Sequence, residues 1–308
     1  MKKSYFGPVL IMAAASLWAV DALFRTQLTF AIPVGAIIFL EYIIGAAIMS
    51  PVFKKSIDQY KKLTRKDWMV FTGMVIVSSV LGIILFTEAL QKSFALNDFA
   101  SPLLIQKLQP VFVILLSATI LKEKITTRFL GLAGIAFLGS YLITFGFNAV
   151  SLAFEGKGLI FLLALGAAAS WGSGTIMSKH ILKKLSFPAA TALRLVASIP
   201  VAGAAMLMLG DTFDVSQLDW SQAWRFLVIA GVTGGACAIY LYYKGLKTTE
   251  AKVSTIAELM FPIISIVIAV TPLNPYGAAQ ILSTGNILGI FLLLGAILAI
   301  SFTTNKSS

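Results

Sequence analysis

The chain is 308 residues long, with 58% hydrophobic and only 12% charged residues, and its mean hydropathy is +0.90. Soluble domains carry about a quarter charged residues to keep their surfaces wet, so a water-exposed globule is excluded and lipid is the solvent that fits. The net charge of +11 does not point to nucleic acid, because Lys and Arg fall in short gaps between apolar runs instead of forming a basic face.

A helix crossing a hydrocarbon core of about 30 Å needs about 20 apolar residues. In chain order the runs are 6–24, 33–53, 68–90, 99–121 and 129–147, then 158–181, 188–209, 224–245, 252–271 and 285–303, giving ten candidate spans. Each must be helical, because backbone polar groups in lipid are satisfied only within their own segment. The expected fold is all-α, a polytopic membrane protein of ten transmembrane helices. Lys2 and Lys3 ahead of the first run imitate a signal peptide. That run is nevertheless structural, because nine spans follow it and its sequence recurs.

Loop charge sets orientation. One side collects Lys2, Lys3, Lys54, Lys55, Lys61, Lys62, Arg65, Lys66, Lys122, Lys124, Arg128, Lys183, Lys184, Lys247 and Lys306. The other has Lys92, Lys157, Arg25 and Arg225, together with Asp211, Asp214 and Asp219. Both termini are therefore expected in the cytoplasm. With no targeting extension, the expected location is a prokaryotic plasma membrane.

The two halves of the chain resemble each other. Ala13-Ala14-Ala15-Ser16 recurs as Ala167-Ala168-Ala169-Ser170, an offset that also sets Arg25 on Lys179. Glu41 falls near Arg194, Glu88 on Lys244 within "FTEAL" and "YYKGL", and Pro110 on Pro262. Leu130-Gly131 matches Leu288-Gly289. Five spans per half is an odd number, so the second half enters the membrane from the opposite side. That is an inverted repeat, the plan behind many alternating-access carriers.

These features resemble the drug/metabolite transporter superfamily, specifically permeases with two EamA domains. The resemblance rests on two five-helix repeats, on small-residue first spans carrying Trp18 and Trp171, on a proline in each fourth span, and on "LKEKIT" (121–126). It covers 6–147 as a first repeat and 156–303 as a second. One departure is that Glu123, which closes the fourth span, faces "TPLNPYG" (271–277) in the second half. The resemblance implies a central cavity between the first, third, fourth, sixth, eighth and ninth spans. It also implies carriage of small metabolites such as amino acids, nucleosides or amphipathic compounds, with export as the expected direction.

Ionisable residues inside spans are costly and are expected to face a cavity or a partner. Lys107 and Glu258 lie just before Pro110 and Pro262, whose missing donors bend the helices and free carbonyls toward a cavity. With Gln106, beside which Gln109 stands, they are the leading substrate-binding candidates. Trp18, Asp21 and Arg25 form one stripe on the first span. Asp21 is expected to neutralise Lys107 or Arg25, or to exchange a proton. Trp171, Tyr240 and Tyr243 add aromatic surface, for which ordinary packing is the plainer reading. Glu88 and Lys244 lie near span ends, where a structural role is the plainer reading. Glu88 is also a substrate-binding candidate and Lys244 a gating or ion-pair candidate, and Asp21, Glu88 and Glu258 are the acids through which a proton could couple. Arg25 and Lys179 are expected to snorkel to the interface. Glu41 and Arg194 read as an ion pair or a gating pair.

Cys237 and His180 are each the sole residue of their type. Neither a cysteine cluster nor a histidine-pair metal site can form, no cofactor is expected, and an intramembrane enzyme lacks its parts. The expected function is a secondary transporter, with protons as candidate coupling ions. A channel or a non-transporting scaffold is the alternative. The expected partners are a small-molecule substrate and the lipid bilayer, with the protein a monomer or homodimer.

Overall fold

The computed structural model describes residues 6–29, 31–95, 102, 105–149, 158–212, 219–273 and 279–303. Lys2, Lys3, Lys157, Asp214, Lys306 and residues 274–277 of the "TPLNPYG" segment lie outside that set, as does most of 99–104 at the start of the fourth span. All regular structure among the described residues is helical. In chain order the helices are α1 (Phe6–Thr29), α2 (Val34–Lys55), α3 (Ile57–Tyr60), α4 (Arg65–Met74) and α5 (Gly82–Ala95). Then come α6 (Gln109–Thr119), α7 (Thr127–Phe145), α8 (Gly158–Ile181), α9 (Phe187–Met208) and α10 (Trp220–Val228). The last are α11 (Ala236–Thr248), α12 (Ala251–Ala257), α13 (Met260–Ala269) and α14 (Thr284–Thr303).

Nine segments among the described residues are long and apolar enough to cross a membrane. The tenth candidate is represented by α6, an apolar helix of 11 residues. Large apolar side chains face outward, among them Leu162 at 69% exposure and Phe291 at 70%, as a lipid-facing surface requires.

Local chemistry marks the helix starts. Thr64 and Asp67 form a capping box at α4, Thr126 accepts from the N–H of Phe129 at 3.2 Å, and Ser186 accepts from Ala189 at 3.4 Å. Lys54 and Lys55 lie in the last turn of α2, where the helix dipole favours cations.

Two irregularities recur in both halves. A π-helical stretch, Val75–Leu81, joins α4 to α5, and another, Ile229–Thr233, leads from α10 toward α11. Val75 and Ile229 are 154 positions apart, the offset of the Ala-Ala-Ala-Ser repeat. The second irregularity is a break. Helix stops after Gln106 and resumes at Gln109, and stops after Ala257 and resumes at Met260. Proline has no N–H, and its ring clashes with the carbonyl four residues back. For Pro110 and Pro262 those residues are Gln106 and Glu258. The turn before each proline tightens accordingly: Leu108 donates to Ile105 (2.9 Å) and Leu259 to Ile256 (3.1 Å).

Helices pair across the halves. The principal contacts are α7 with α14, α2 with α9, α1 with α11 and α13, and α8 with α5 and α6. The α7–α14 crossing is set by glycine. A Cβ on Gly139 would lie 2.7 Å from the Leu293 nitrogen, and one on Gly289 would lie 2.6 Å from the Ile143 nitrogen. Backbone cannot yield, so only hydrogen fits. Gly289→Val is expected to lower stability by about 1–3 kcal/mol, read as a fall in melting temperature in detergent micelles.

Candidate functional site

The breaks in the fourth and ninth spans put polar side chains where an unbroken helix would bury its own backbone. Glu258 occupies the α12–α13 break, and both its oxygens are engaged. Tyr242 Oη donates to Oε1 at 3.0 Å and Gln109 Nε2 to Oε2 at 3.1 Å. Tyr242 Oη also lies 3.1 Å from Thr175 Oγ1 on α8, and Thr175 Oγ1 donates to the Trp171 carbonyl at 3.3 Å. The Trp18 ring meets Tyr242 at 5.2 Å between centroids. Helices α1, α6, α8, α11 and the α12–α13 break therefore converge on one carboxyl whose partners are neutral.

Beside it, Tyr243 Oη accepts from Arg194 Nη1 (3.1 Å) and lies 3.2 Å from Ser178 Oγ. The Arg194 guanidinium sits 5.8 Å from the Tyr243 ring centroid, a cation–π contact. Arg194 Nε is buried without a hydrogen-bond partner. Adjacent tyrosines of α11 thus take different partners, Tyr242 a carboxyl and Tyr243 a guanidinium.

A second polar cluster lies one turn further along α1. Arg25 donates from Nε to Asp21 Oδ2 and from Nη2 to Glu41 Oε2, both at 2.8 Å. Asp21 and Glu41 are 6% and 5% exposed. Thr233, at the end of the second π stretch, donates to Asp21 Oδ1 at 3.2 Å. A Cβ on Gly234 would come within 2.4 Å of Asp21 Oδ1 and 2.9 Å of Glu41 Oε1, so the bare glycine backbone lets α1, α2 and the π stretch close around the ions. Charge-assisted bonds of this geometry are the strong ones.

Other predicted residues go elsewhere. Lys107 donates to Ser140 Oγ at 3.3 Å, in a groove of about 270 Å³ with Leu108, Phe137, Leu138 and Tyr141, and is not brought to Glu258. Gln106 is partly buried at the last helical position before the break. Glu88 faces Lys92 at 3.7 Å, both substantially exposed. Lys244 lies 5.9 Å over the Phe187 ring, which also packs against Tyr240. Trp171 packs on Phe86 at 5.5 Å.

The snorkelling expected of Arg25 is overturned, while Lys179 stays in the last turn of α8. Two carboxylates draw Arg25 inward, and Lys179 donates to the carbonyls of Leu246 and Thr249. Glu41 and Arg194 do not bond each other: Glu41 takes Arg25, and Arg194 takes Tyr243. Tyr242, Thr175 and Thr233 escaped the sequence reading, because hydroxyls in apolar helices carry no signal beyond position.

At the far end of α6, Lys122 turns the chain at φ 57°, and Glu123 returns its N–H to Ser117 at 3.0 Å. Its carboxylate then accepts from Ala251 N (2.7 Å) and Lys252 N (3.0 Å), capping α12 from the other half of the chain. No group of three or more His, Cys, Asp or Glu capable of holding a metal occurs among the described residues.

Comparison with known proteins places this arrangement. The model of the EamA-like transporter family matches residues 5–145 and again 158–302. The riboflavin transporter ImpX of Fusobacterium nucleatum is 33% identical over 269 residues, covering 85% of this chain and 87% of that protein. An uncharacterized transporter of Synechocystis is 29% identical over 286 residues, covering 85% of this chain and 74% of that one. A solved structure, titled only as the crystal structure of a protein, superposes with a TM-score of 0.76 at 18% identity, over 98% of this chain and 99% of that one. The fold is shared with that structure. The chain belongs to the EamA-like transporter family.

Proposed function

We propose that this protein is a secondary carrier of small polar metabolites working by alternating access between two inverted five-helix halves, 6–147 and 156–303. Its first substrate class is planar heteroaromatic compounds of the riboflavin kind. The observation that carries the reading is the polar and aromatic cluster at the α12–α13 break, where Trp18 and Tyr242 bring rings together and Gln109, Glu258 and Thr175 bring hydrogen-bonding groups. A flat heterocycle with imide and hydroxyl groups needs those two kinds of surface. The name of the 33% identical relative supports the same class.

The exchange of halves is supported by packing. Swapping first for second half turns the α1–α11 contact into α8–α5, and α1–α13 into α8–α6, while α2–α9 and α7–α14 map onto themselves. The matched π stretches and matched breaks support it too. The loop-charge bias supports both termini on the cytoplasmic side, and the relatives from Fusobacterium and Synechocystis support a prokaryotic plasma membrane. A carrier without a fixed direction follows the imposed gradient, so export and uptake are two directions of one cycle.

Purified protein in proteoliposomes is expected to exchange internal for external riboflavin in a saturable counterflow assay, and binding is expected to quench flavin fluorescence. Trp18→Ala is expected to weaken binding about tenfold or more, since losing an aromatic platform for a stacked heterocycle costs about 1–3 kcal/mol. Flux that rises without saturation would indicate a channel. Absence of flavin binding with intact folding would remove the substrate class.

A further inference from the structure

We infer that Glu258 is where this carrier binds its coupling proton, through a hydrogen-bond chain that is complete in both protonation states. The inference rests on the carrier reading above and names the ion for the same site.

The other carboxylates described inside the spans are compensated. Asp21 and Glu41 share Arg25, and Glu88 faces Lys92. Glu258 has only Tyr242 and Gln109 on its oxygens, and no cation lies within salt-bridge distance among the described residues. An unpaired charge in the bilayer interior is costly, so a proton is the simplest compensating ion.

The surroundings suit that proton. With Glu258 ionised, Tyr242 and Gln109 donate to its two oxygens and Thr175 donates to Tyr242. When Glu258 binds a proton, its new O–H donates to Tyr242 Oη, the Tyr242 O–H turns to Thr175 Oγ1, and the Thr175 O–H turns to the Trp171 carbonyl. One proton is added, no covalent bond beyond that O–H forms or breaks, and no buried donor or acceptor is left orphaned. The separations of 3.0, 3.1 and 3.3 Å fit either polarity.

Among the described titratable and charged groups on the packed helices, only Tyr242 is hydrogen-bonded to Glu258, and Lys179 of α8 is bonded to the Leu246 and Thr249 carbonyls. On α1, Asp21 and Arg25 are tied to Glu41. On α9, Arg194 is bonded to Tyr243. Lys107, just ahead of α6, is bonded to Ser140. The chain joins α6, α8, α11 and the α12–α13 break, and Trp18 of α1 rests on its central tyrosine. A proton on Glu258 therefore alters the bonding of the helices that line the substrate pocket.

The test uses full-length protein in proteoliposomes. Substrate addition is expected to move protons, read by an entrapped pH dye, and an imposed pH gradient is expected to drive riboflavin accumulation. Glu258→Gln is expected to lose both the proton movement and the response to the gradient, with its flavin affinity read separately by fluorescence quenching. Accumulation driven by a pH gradient in Glu258→Gln would overturn the proposal. So would wild-type transport without proton movement.

A second readout needs no substrate. The infrared band of a protonated carboxyl is expected to titrate in the wild type and to be missing in Glu258→Gln. Tyr242→Phe, which removes the hydroxyl partner of Glu258, is expected to shift the frequency of that band. If wild type shows no such band, the proton site is wrong whatever the substrate. If the band behaves as expected and riboflavin is not carried, only the substrate assignment falls.

Discussion

Replacing Arg25 with methionine is expected to lower stability by about 3–5 kcal/mol, the usual cost of removing one partner of a buried ion pair. The reason lies in what remains. Asp21 and Glu41 sit at 6% and 5% exposure, and Arg25 supplies the salt bridge to each. Methionine fills similar volume, so the loss is electrostatic and not a cavity. The two carboxylates would then face each other across α1 and α2, with Thr233 alone among the described side chains donating to Asp21. Adding Asp21→Asn and Glu41→Gln to Arg25→Met should recover most of the loss, because the stranded charges go with the cation. Arg25→Lys should recover little, since one ammonium cannot reproduce a guanidinium that bonds through Nε on one side and Nη2 on the other. Thermal unfolding in a mild detergent measures all three variants against the wild type. A triple variant no more stable than Arg25→Met would mean that the cluster holds the helices by geometry and not by charge compensation.

The limits of the sequence reading are visible in this same cluster. Trp18, Asp21 and Arg25 were legible as one stripe, because helical periodicity is a property of a single segment. Which neighbour the stripe meets depends on how α2 and the π stretch before α11 pack, and no spacing encodes that. A long cation near a helix end ordinarily reaches for water. Here two buried acids, one four residues away and one on the next helix, outcompete it.

The same logic separates Lys107 from Glu258. Both precede a proline, and the prolines correctly mark where the helices break. But the break changes the direction of each side chain. Lys107 falls toward Ser140 on α7, whereas Glu258 meets Tyr242 and Gln109. Proline position is written in the sequence, while side-chain direction after a two-residue turn is not. The apolar runs and the repeat were the most legible features, because lipid imposes the first and the residues themselves display the second. The match between the π stretches had no sequence signal of its own, although it falls at the offset the small-residue motif had set.

Glu123→Ala is the companion experiment, aimed at the seam between halves. Its carboxylate takes the first two backbone N–H groups of α12, Ala251 at 2.7 Å and Lys252 at 3.0 Å. These lack partners within the helix, and an anion there also meets the positive end of the helix dipole. Two charge-assisted bonds are lost, but the side chain is only partly buried and water can replace some of the contact. The expected cost is therefore about 1.5–3 kcal/mol, the value of one such bond and not of two. Glu123→Gln should lose about half as much, because its amide offers one accepting oxygen in place of two.

If the seam opens during the carrier cycle, the bonds exist in one conformation and not in the other. Their loss then shifts the population by about tenfold or more toward the open form. Ser254, fully buried on α12, reports that shift. In a Cys237→Ser background, which removes the exposed native thiol, Ser254→Cys should react with a water-soluble maleimide about tenfold faster when Glu123→Ala is added. Unchanged labelling alongside a lowered melting temperature would make Glu123 a static cap. Faster labelling with near-wild-type unfolding would make it the latch of this end of the carrier.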